Sequence, residues 1–201
     1  IFHRIGSRVR QKEKASRDNH KRSLVFGSRI AGWLRENRAI AQFCALFTGL
    51  LACLTLVLQA DPIQSAIITP HLSQIALLCG SMMRWIGTDC MTDGCSIISA
   101  RFSVTVVRGC DSLYPTAMLW AALLAYPATW KSKVAGLIGG AVILFLLNII
   151  RVITMFYVGV FYPSLFDMVH VYAWQALFIL LTLAVWLFWA AKISRAKAPS
   201  S

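Results

Sequence analysis

A cysteine, an arginine and a histidine occur at or near the ends of consecutive apolar stretches of this 201-residue sequence. Cys110 precedes one stretch, Arg151 lies inside the next, and His170 opens the last. An arginine in an apolar run is costly in a membrane, and it usually faces a bundle interior or a water-filled cavity. A thiol, an imidazole and a guanidinium are three of the groups that thiol-based acyl transfer needs. The spacing therefore predicts a site formed by these three side chains.

Three further polar residues are candidate supporting groups. Arg108 and the start of a helix lie close to Cys110, and both favour the thiolate form of a cysteine. Asn148 is three residues before Arg151 and shares its helical face. Asp167 is three residues before His170, where a carboxylate could orient the imidazole or raise its basicity.

Each candidate also has a simpler interpretation. Cys110 could be a structural cysteine, His170 an ordinary interfacial histidine, and Asn148 a polar residue that packs helices together, as membrane bundles often use. Arg151 could pair with a charge inside the bundle. The sequence alone leaves these alternatives open.

The other cysteines fall into two groups. Cys44, Cys53 and Cys79 lie in apolar runs and are expected to be small buried hydrophobic residues. Cys90 and Cys95 are close together in a loop, so a disulfide between them is plausible but not required. Metal binding by these two cysteines is less favoured than a disulfide, because no histidine lies nearby. No cofactor is predicted.

Composition indicates an integral membrane protein. Hydrophobic residues make up 58% of the chain and charged residues 14%, and the mean hydropathy is +0.65. The net charge of +12 could suggest a nucleic-acid-binding protein, but 11 of the 20 Lys and Arg lie between Arg4 and Arg38. Most of the others flank apolar runs, which is the pattern of cytoplasmic loops. A nucleic-acid partner is therefore not expected.

The first 38 residues predict a basic cytoplasmic arm attracted to anionic lipid. Its last part, Ser23 to Arg38, has the apolar residues of a short interfacial helix. A cleaved signal peptide is not expected, because the apolar run that follows is long enough to span a membrane. Residues 39–192 are then the membrane-embedded domain, and residues 193–201 a cytoplasmic tail.

The predicted fold is an all-α integral membrane helical bundle with about four spanning helices. The loop Thr129 to Lys133 is short and basic, hence cytoplasmic, and Arg151 lies 18 residues beyond Lys133, about 27 Å along a helix. This places Arg151, Cys110 and His170 at one outer level. The predicted spans are Ala39–Leu58, Leu113–Ala128, Lys133–Val160 and Val169–Ala191.

Topology decides how the segment before Cys110 is interpreted. If the first helix ends outside and the helix after Cys110 enters from outside, everything between them must begin and end on that side. Ile63 to Gly87, apolar but interrupted by polar residues, is therefore predicted to be an outer-face interfacial or re-entrant helix. Ser96–Ile98 and the alternating run Ser103–Val107 predict a small β-hairpin on the same face. Asp111 and Ser112 are suitable N-cap residues for the next helix.

Three strings of the sequence resemble the core of the exosortase/archaeosortase family, most closely the small bacterial form called exosortase H. They are LLAYPATWKSKVAGLIGG, LNIIRVITMFYVG and FDMVHVYAWQALFILL. The resemblance covers about Pro62 to Trp189 and includes the pattern of Cys, N-x-x-R and His. Family members often have a small residue such as glycine two places after the cysteine, where this chain has Ser112.

The resemblance implies a membrane-embedded cysteine protease or transpeptidase of the bacterial inner membrane, with its active site at the periplasmic face. Cys110 would be the nucleophile, Arg151 the oxyanion-stabilising residue and His170 the proton carrier. The implied partners are exported proteins that end in a short motif, a hydrophobic helix and a basic tail; they would be cleaved and transferred through a thioester to an acceptor. The competing class is a non-catalytic membrane assembly or chaperone subunit.

Overall fold

The computed structural model describes residues 36–197. Residues 1–35, which include nearly all of the predicted basic arm and most of its predicted interfacial helix Ser23–Arg38, lie outside the described residues. Residues 198–201 of the predicted tail also lie outside them. Among the described residues, contacts place 36–45 in one unit and 46–197 in another; the sheet, the other helices and the site discussed below lie in the second. The helices are α1 (Arg38–Gln59), α2 (Thr69–Trp85), α3 (Leu113–Ala125), α4 (Trp130–Phe161) and α5 (Trp174–Lys197).

The chain folds as a helical membrane bundle that carries a small antiparallel sheet. Within residues 36–197, four helical segments are long and apolar enough to cross a membrane, which confirms a multi-pass architecture. Large apolar side chains on the outside, such as Leu146, Ile150 and Phe188, stay exposed as they would toward lipid. The four segments are Arg38–Gln59, Asp61–Trp85, Trp130–Phe161 and Pro163–Arg195.

The prediction of a spanning helix over Leu113–Ala128 is wrong in length. Helix α3 ends at Ala125 and has 13 residues, about 20 Å at 1.5 Å per residue, against a hydrocarbon core of about 30 Å. The helix stops because Pro127 follows Tyr126, and the residue before a proline avoids helical dihedral angles. Tyr126 accordingly adopts φ −73° and ψ 136°.

The segment before the sheet is helical over Asp61–Trp85, which by length and composition qualifies as a span. It begins with a short turn (Asp61–Ile63) and a π-helical turn (Gln64–Ile68) that lead into α2. Its contacts run along α4 from the middle toward the C-terminal end: the ring of His71 lies 6.1 Å from that of Phe145, and the hydroxyl of Thr88, just after α2, bonds the hydroxyl of Tyr157 at 2.7 Å. Arg151 lies between these two contacts. Its interfacial or re-entrant position in the membrane remains a prediction.

The predicted hairpin is confirmed as part of a three-stranded antiparallel sheet in the order β1-β2-β3. Strands β2 and β3 pair Ile97 with Val104. Strand β1 was not predicted, although its turn to β2 has a signal. Gly94 there has φ 54°, which a two-residue turn with glycine in first position requires. The strands are β1 (Met91–Asp93), β2 (Ser96–Ile98) and β3 (Ser103–Thr105).

Two buried clusters hold these elements in place. One joins α2, the sheet and α4, and the other joins α3, α4 and α5. A close approach at Gly159 fixes the sheet on α4, because the ring of Phe102 occupies the space that a Cβ atom would need. The first cluster includes Ile75, Met83, Ile97, Val106, Val152 and Phe156, and the second Leu119, Leu123, Leu144, Met155, Trp174 and Phe178.

Candidate active site

Helix α4 places Arg151 in the interior. The helix is continuous over 32 residues, so Arg151 shares its buried side with Asn148, Val152 and Met155 at helical spacing. The Arg151 side chain is only 5% exposed. A charged side chain held this deeply has been positioned by the fold and cannot reach solvent by extending along the surface.

The turn between β3 and α3 carries Cys110. The backbone N–H of Cys110 donates to the carbonyl of Val107 at 2.9 Å, which closes the turn. Gly109 has φ 86° and Ser112 has φ 59°, so left-handed residues stand on both sides of the cysteine. Ser112, two places after the cysteine, therefore adopts a conformation that glycine takes without steric cost.

Asp111 stabilises the same turn from inside. Its carboxylate accepts a hydrogen bond from the N–H of Leu113 at 3.2 Å, and the residue is 2% exposed. The predicted N-cap is thus divided between two residues. Ser112 occupies the cap position without a side-chain cap bond, and Asp111 satisfies one of the free N–H groups at the start of α3.

His170 lies in a π-helical stretch, Val169–Ala173, that precedes α5. Such wide turns often occur at functional sites, because they change the direction in which one side chain points. The ring of Phe166 stacks on the imidazole at 5.7 Å with an angle of 8° between the planes. The Nδ1 atom of His170 is buried and has no hydrogen-bond partner in the described part of the chain.

The three predicted residues meet at one point. The Sγ atom of Cys110 lies 3.8 Å from Nε2 of His170, and Nη2 of Arg151 lies 3.7 Å from the same sulfur. Nη1 of Arg151 is 3.5 Å from the carbonyl oxygen of Gly109. Residues from a loop, from α4 and from the turn before α5 are thus within contact distance across sequence separations of 41 and 60 residues.

Arg151 has no carboxylate partner within residues 36–197. Its guanidinium contacts the Cys110 thiol and the Gly109 carbonyl, and it lies 5.5 Å from the ring centroid of Phe178. A ring face stabilises a cation without neutralising it. The positive charge therefore remains available to an anion that forms beside the thiol.

These side chains open into a cleft of about 230 Å³. One wall is the edge of β3, and another consists of apolar side chains from α4 and from the turn before α5. The lining residues that bear on the chemistry are Cys110, Arg151 and His170, with Val152, Met155 and Phe166 around them.

The protonation state of Cys110 differs from the prediction. Burial raises the pKa of the thiol above its ordinary value, while the Arg151 guanidinium lowers this pKa and the adjacent Asp111 carboxylate raises it. Desolvation outweighs the nearby cation, so the resting group is a thiol at neutral pH. Arg108, which was expected to favour the thiolate, is exposed and donates to the side-chain oxygen of Gln64 at 3.2 Å.

The other two supporting candidates make no hydrogen bond to Cys110, Arg151 or His170 in the described residues. Asn148 is fully buried, but neither polar atom of its amide has a hydrogen-bond partner among the residues described. Asp167 is exposed and does not bond Nδ1 of His170; stacking by Phe166 holds the ring instead. Supporting roles for Asn148, Asp167 and Arg108 stay predictions.

The remaining cysteines are free in the described region, so Cys90 and Cys95 form no disulfide. The sulfur of Cys90 is buried 3.7 Å from the carbonyl of Gly80, and that of Cys95 lies 3.4 Å from the hydroxyl of Ser73. Cys44 and Cys53 are exposed on α1, whereas Cys79 is buried as predicted. In residues 36–197 no group of three or more His, Cys, Asp or Glu could hold a metal ion.

Sequence analysis missed three features of the site: the stacked ring of Phe166, the burial of Asp111 and the cleft along β3. Phe166 lies one helical turn before His170, a spacing that could have indicated the contact. The burial of Asp111 has no comparable local signal, because it depends on how α2 and α4 pack around the turn.

Comparison with known proteins gives the same identification as the resemblance. Curated proteins gave no match, and solved structures gave none. A family model described as transmembrane exosortase (Exosortase_EpsH) matches residues 39–187, a range that includes the whole sheet, the cleft and all three converging residues. The match spans well over half of the chain, and the chain belongs to the transmembrane exosortase family.

Proposed function

We propose that this protein is a cysteine transpeptidase of the bacterial inner membrane that cleaves C-terminal sorting signals from exported proteins. Its active site would lie at the periplasmic end of α4. The observation that carries the proposal is the convergence of Cys110, Arg151 and His170 in one cleft, with a guanidinium whose charge no carboxylate neutralises in the described region.

The reaction starts with a proton transfer, because the resting group is a thiol. Nε2 of His170 accepts the proton of Cys110 as the sulfur attacks the carbonyl carbon of the substrate peptide bond. The carbonyl oxygen becomes an oxyanion beside the Arg151 guanidinium, which donates to it. The C–N bond then breaks, and His170 returns the proton to the leaving amine.

The second half of the reaction resolves the thioester on Cys110. The acceptor, whether an amine, a hydroxyl or water, loses its proton to His170 and attacks the thioester carbonyl. The sulfur leaves and regains its proton from His170, so the protein returns to its starting state. No other group is needed for the balance of atoms and charge.

A processing assay tests the proposal. The probe is a reporter with an exported domain followed by the C-terminal motif, apolar helix and Arg-rich tail of an exported protein from the same cell. We expect Cys110→Ala to remain in the membrane and to abolish processing. Cys44→Ala and Cys53→Ala are matched controls, since both cysteines are exposed on α1.

Two outcomes would contradict the proposal. Processing at the wild-type rate by Cys110→Ala would remove Cys110 as the nucleophile. Failure to trap a Cys110-linked thioester with the reporter, under conditions where it is processed, would point to a non-catalytic role such as assembly.

A further inference from the structure

Strand β3 (Ser103–Thr105) lies at the edge of its sheet. The order β1-β2-β3 pairs one side of β3 with β2, and no strand in the described region pairs with its other side. An unpaired edge presents a row of N–H and C=O groups that can pair with another chain. Proteins usually cover or charge such an edge, and here it opens into the cleft.

The ladder bonds show which backbone groups point to the free side. The N–H of Val106 donates to the carbonyl of Cys95 at 2.8 Å, and the carbonyl of Phe102 accepts from the N–H of Ser99 at 3.0 Å. Successive residues of an antiparallel strand direct their backbone groups to opposite sides. The even-numbered residues therefore face β2, and the odd-numbered residues face away from it.

Ser103 and Thr105 are the odd-numbered residues of β3. Their backbone N–H and C=O groups point to the free edge and have no hydrogen-bond partner within residues 36–197. Both residues are exposed. The side chain of Thr105 is held by the hydroxyl of Ser96 at 2.9 Å, which keeps the strand in place without using the edge groups.

The free edge and the reacting groups share one cavity. All six residues 102–107 line the cleft that also contains Cys110, Arg151 and His170. Side chains alternate between the two faces of a strand, so a cavity lined by six consecutive residues runs along the edge and not beneath one face. A chain lying along this edge ends beside the Cys110 thiol.

We propose that the exported substrate binds here as an added strand, with its motif extended along β3 and its scissile carbonyl at Cys110. This rests on the proposed function, since it takes the substrate to be a peptide. An extended segment has unpaired backbone groups that match those of Ser103 and Thr105, which is how strand addition gives affinity. In a helical segment the backbone N–H and C=O groups are already hydrogen-bonded to each other, so they could not pair with the edge of β3.

The opposite wall sets a side-chain preference. It is formed by Val152, Met155 and Phe166, so a substrate side chain that points toward α4 enters an apolar environment. Burying a positive charge there would cost free energy, because the cleft already holds the Arg151 guanidinium and its described lining includes no carboxylate. Because an extended chain alternates its side chains, every second position of the motif is expected to be apolar, while those between are unrestricted.

A proline substitution tests the edge with the full chain in its membrane. Ser103→Pro removes one N–H from the free side and leaves the bonds to β2 intact, which is the position where strands tolerate proline. We expect processing of the reporter to fall about tenfold. This is the fold-change that corresponds to losing one hydrogen bond whose net free energy lies near the top of the usual range. Ser103→Ala shortens the same side chain but keeps the N–H, so its processing should exceed that of Ser103→Pro.

A second measurement does not depend on how the variant folds. Synthetic peptides covering the motif of the reporter, each with one N-methylated backbone amide, are tested for binding to Cys110→Ala protein. Strand addition predicts loss of binding at every second position. A flat profile, with processing still dependent on Cys110, would overturn strand addition and leave the proposed function standing. If binding is lost at every second position but Cys110→Ala still processes the reporter, strand addition to β3 would be supported and Cys110 would be excluded as the nucleophile.

Discussion

Arg151 is the residue at which a structural and a catalytic role make different demands. A structural role would need a counter-ion, because a buried charge without one is costly. The described contacts of Arg151 are a thiol, a backbone carbonyl and a ring, and none of these is an anion in the resting state. The arrangement suits a charge that is neutralised only when an oxyanion forms.

Replacing Arg151 by lysine separates these two roles. If the planar fork of donors holds the oxyanion, Arg151→Lys should lose on the order of 10²-fold in processing rate at equal membrane abundance. Arg108→Lys is the matched control, since Arg108 is exposed and bonds only the side chain of Gln64 in the described region. A near-normal rate for Arg151→Lys, measured together with formation of the Cys110 adduct, would leave charge alone as the explanation.

The pKa of Cys110 gives a second prediction at this scale. Iodoacetamide alkylates the thiolate, so the rate of alkylation follows the thiolate fraction of Cys110. Because burial raises this pKa, the rate should still increase with pH at values where an ordinary thiol is already fully ionised. Arg151 lowers the pKa and Asp111 raises it. Arg151→Ala should therefore slow alkylation at a fixed pH near 8 and move the profile to higher pH. Asp111→Asn, which can still accept the N–H of Leu113, should do the reverse.

Mass spectrometry of the Cys110 peptide measures this profile. Cys95, in the turn between β1 and β2, is an internal reference in the same sample, because neither substitution lies in the sheet. Shifts of the same sign in the two variants would mean that the electrostatic account of the thiol is wrong.

The three converging residues could be predicted from the sequence because their types and spacing are local facts. The ionisation of Cys110 could not, because it depends on burial by residues far away in the chain. The spacing of Asp167 and His170 does not show whether they bond either: in the structure Nδ1 of His170 receives no hydrogen bond, and a role for Asp167 stays a prediction.

At the scale of elements, the turn before α3 depends on one backbone conformation. Ser112 has φ 59°, where an L-residue costs roughly 1 to 2 kcal/mol relative to glycine. Ser112→Gly should therefore keep processing and raise the thermal midpoint of the purified protein slightly. Ser112→Val should lower that midpoint and processing together, because a branched side chain is poorly tolerated at this φ. An equal midpoint for the two variants would show that the turn is not under this constraint.

The elements themselves were predicted unevenly. Apolar runs gave α1 and α4 within a few residues, and the alternating β-branched run gave β3. The end of α3 was missed, although Pro127 marked it, because the apolar composition continued past the proline. Strand β1 has only three residues and one turn signal, and it is held by pairing with β2 and by contact with α2. A strand this short depends on contacts with other elements, so its own residues carry too little signal to predict it.

At the scale of the whole molecule, the orientation in the membrane is open to direct measurement. Lys131 lies in the first turn of α4, within the basic segment Thr129 to Lys133, and Asp93 lies in β1. Both are exposed, so burial would not prevent labelling at either. In a background without the native cysteines, an impermeant thiol reagent should label Asp93→Cys in intact cells. Lys131→Cys should be labelled only after permeabilisation. Labelling of Lys131→Cys in intact cells would place the cleft on the cytoplasmic side.

Helix α4 is unbroken, so it fixes the distance between the basic segment Thr129 to Lys133 and Arg151. From Lys133 to Arg151 there are 18 residues, about 27 Å along the helix. A substrate helix anchored by its own basic tail at the level of that segment would bring its motif to Cys110 only if its apolar length matches this distance. Deleting four residues from the reporter helix withdraws the motif by about 6 Å, far more than the roughly 1 Å that reacting groups tolerate.

We therefore expect that deletion to stop processing, whereas deleting four residues from a loop of the exported domain should have no effect. Unchanged processing of the shortened helix would mean that the tail is not held at the level of Lys133. If the length matters, substrates would be selected by two independent properties: the sequence of the motif at the edge of β3 and the length of the apolar helix across the bilayer. A protein with a suitable motif on a helix of unsuitable length would then remain uncut in the same membrane.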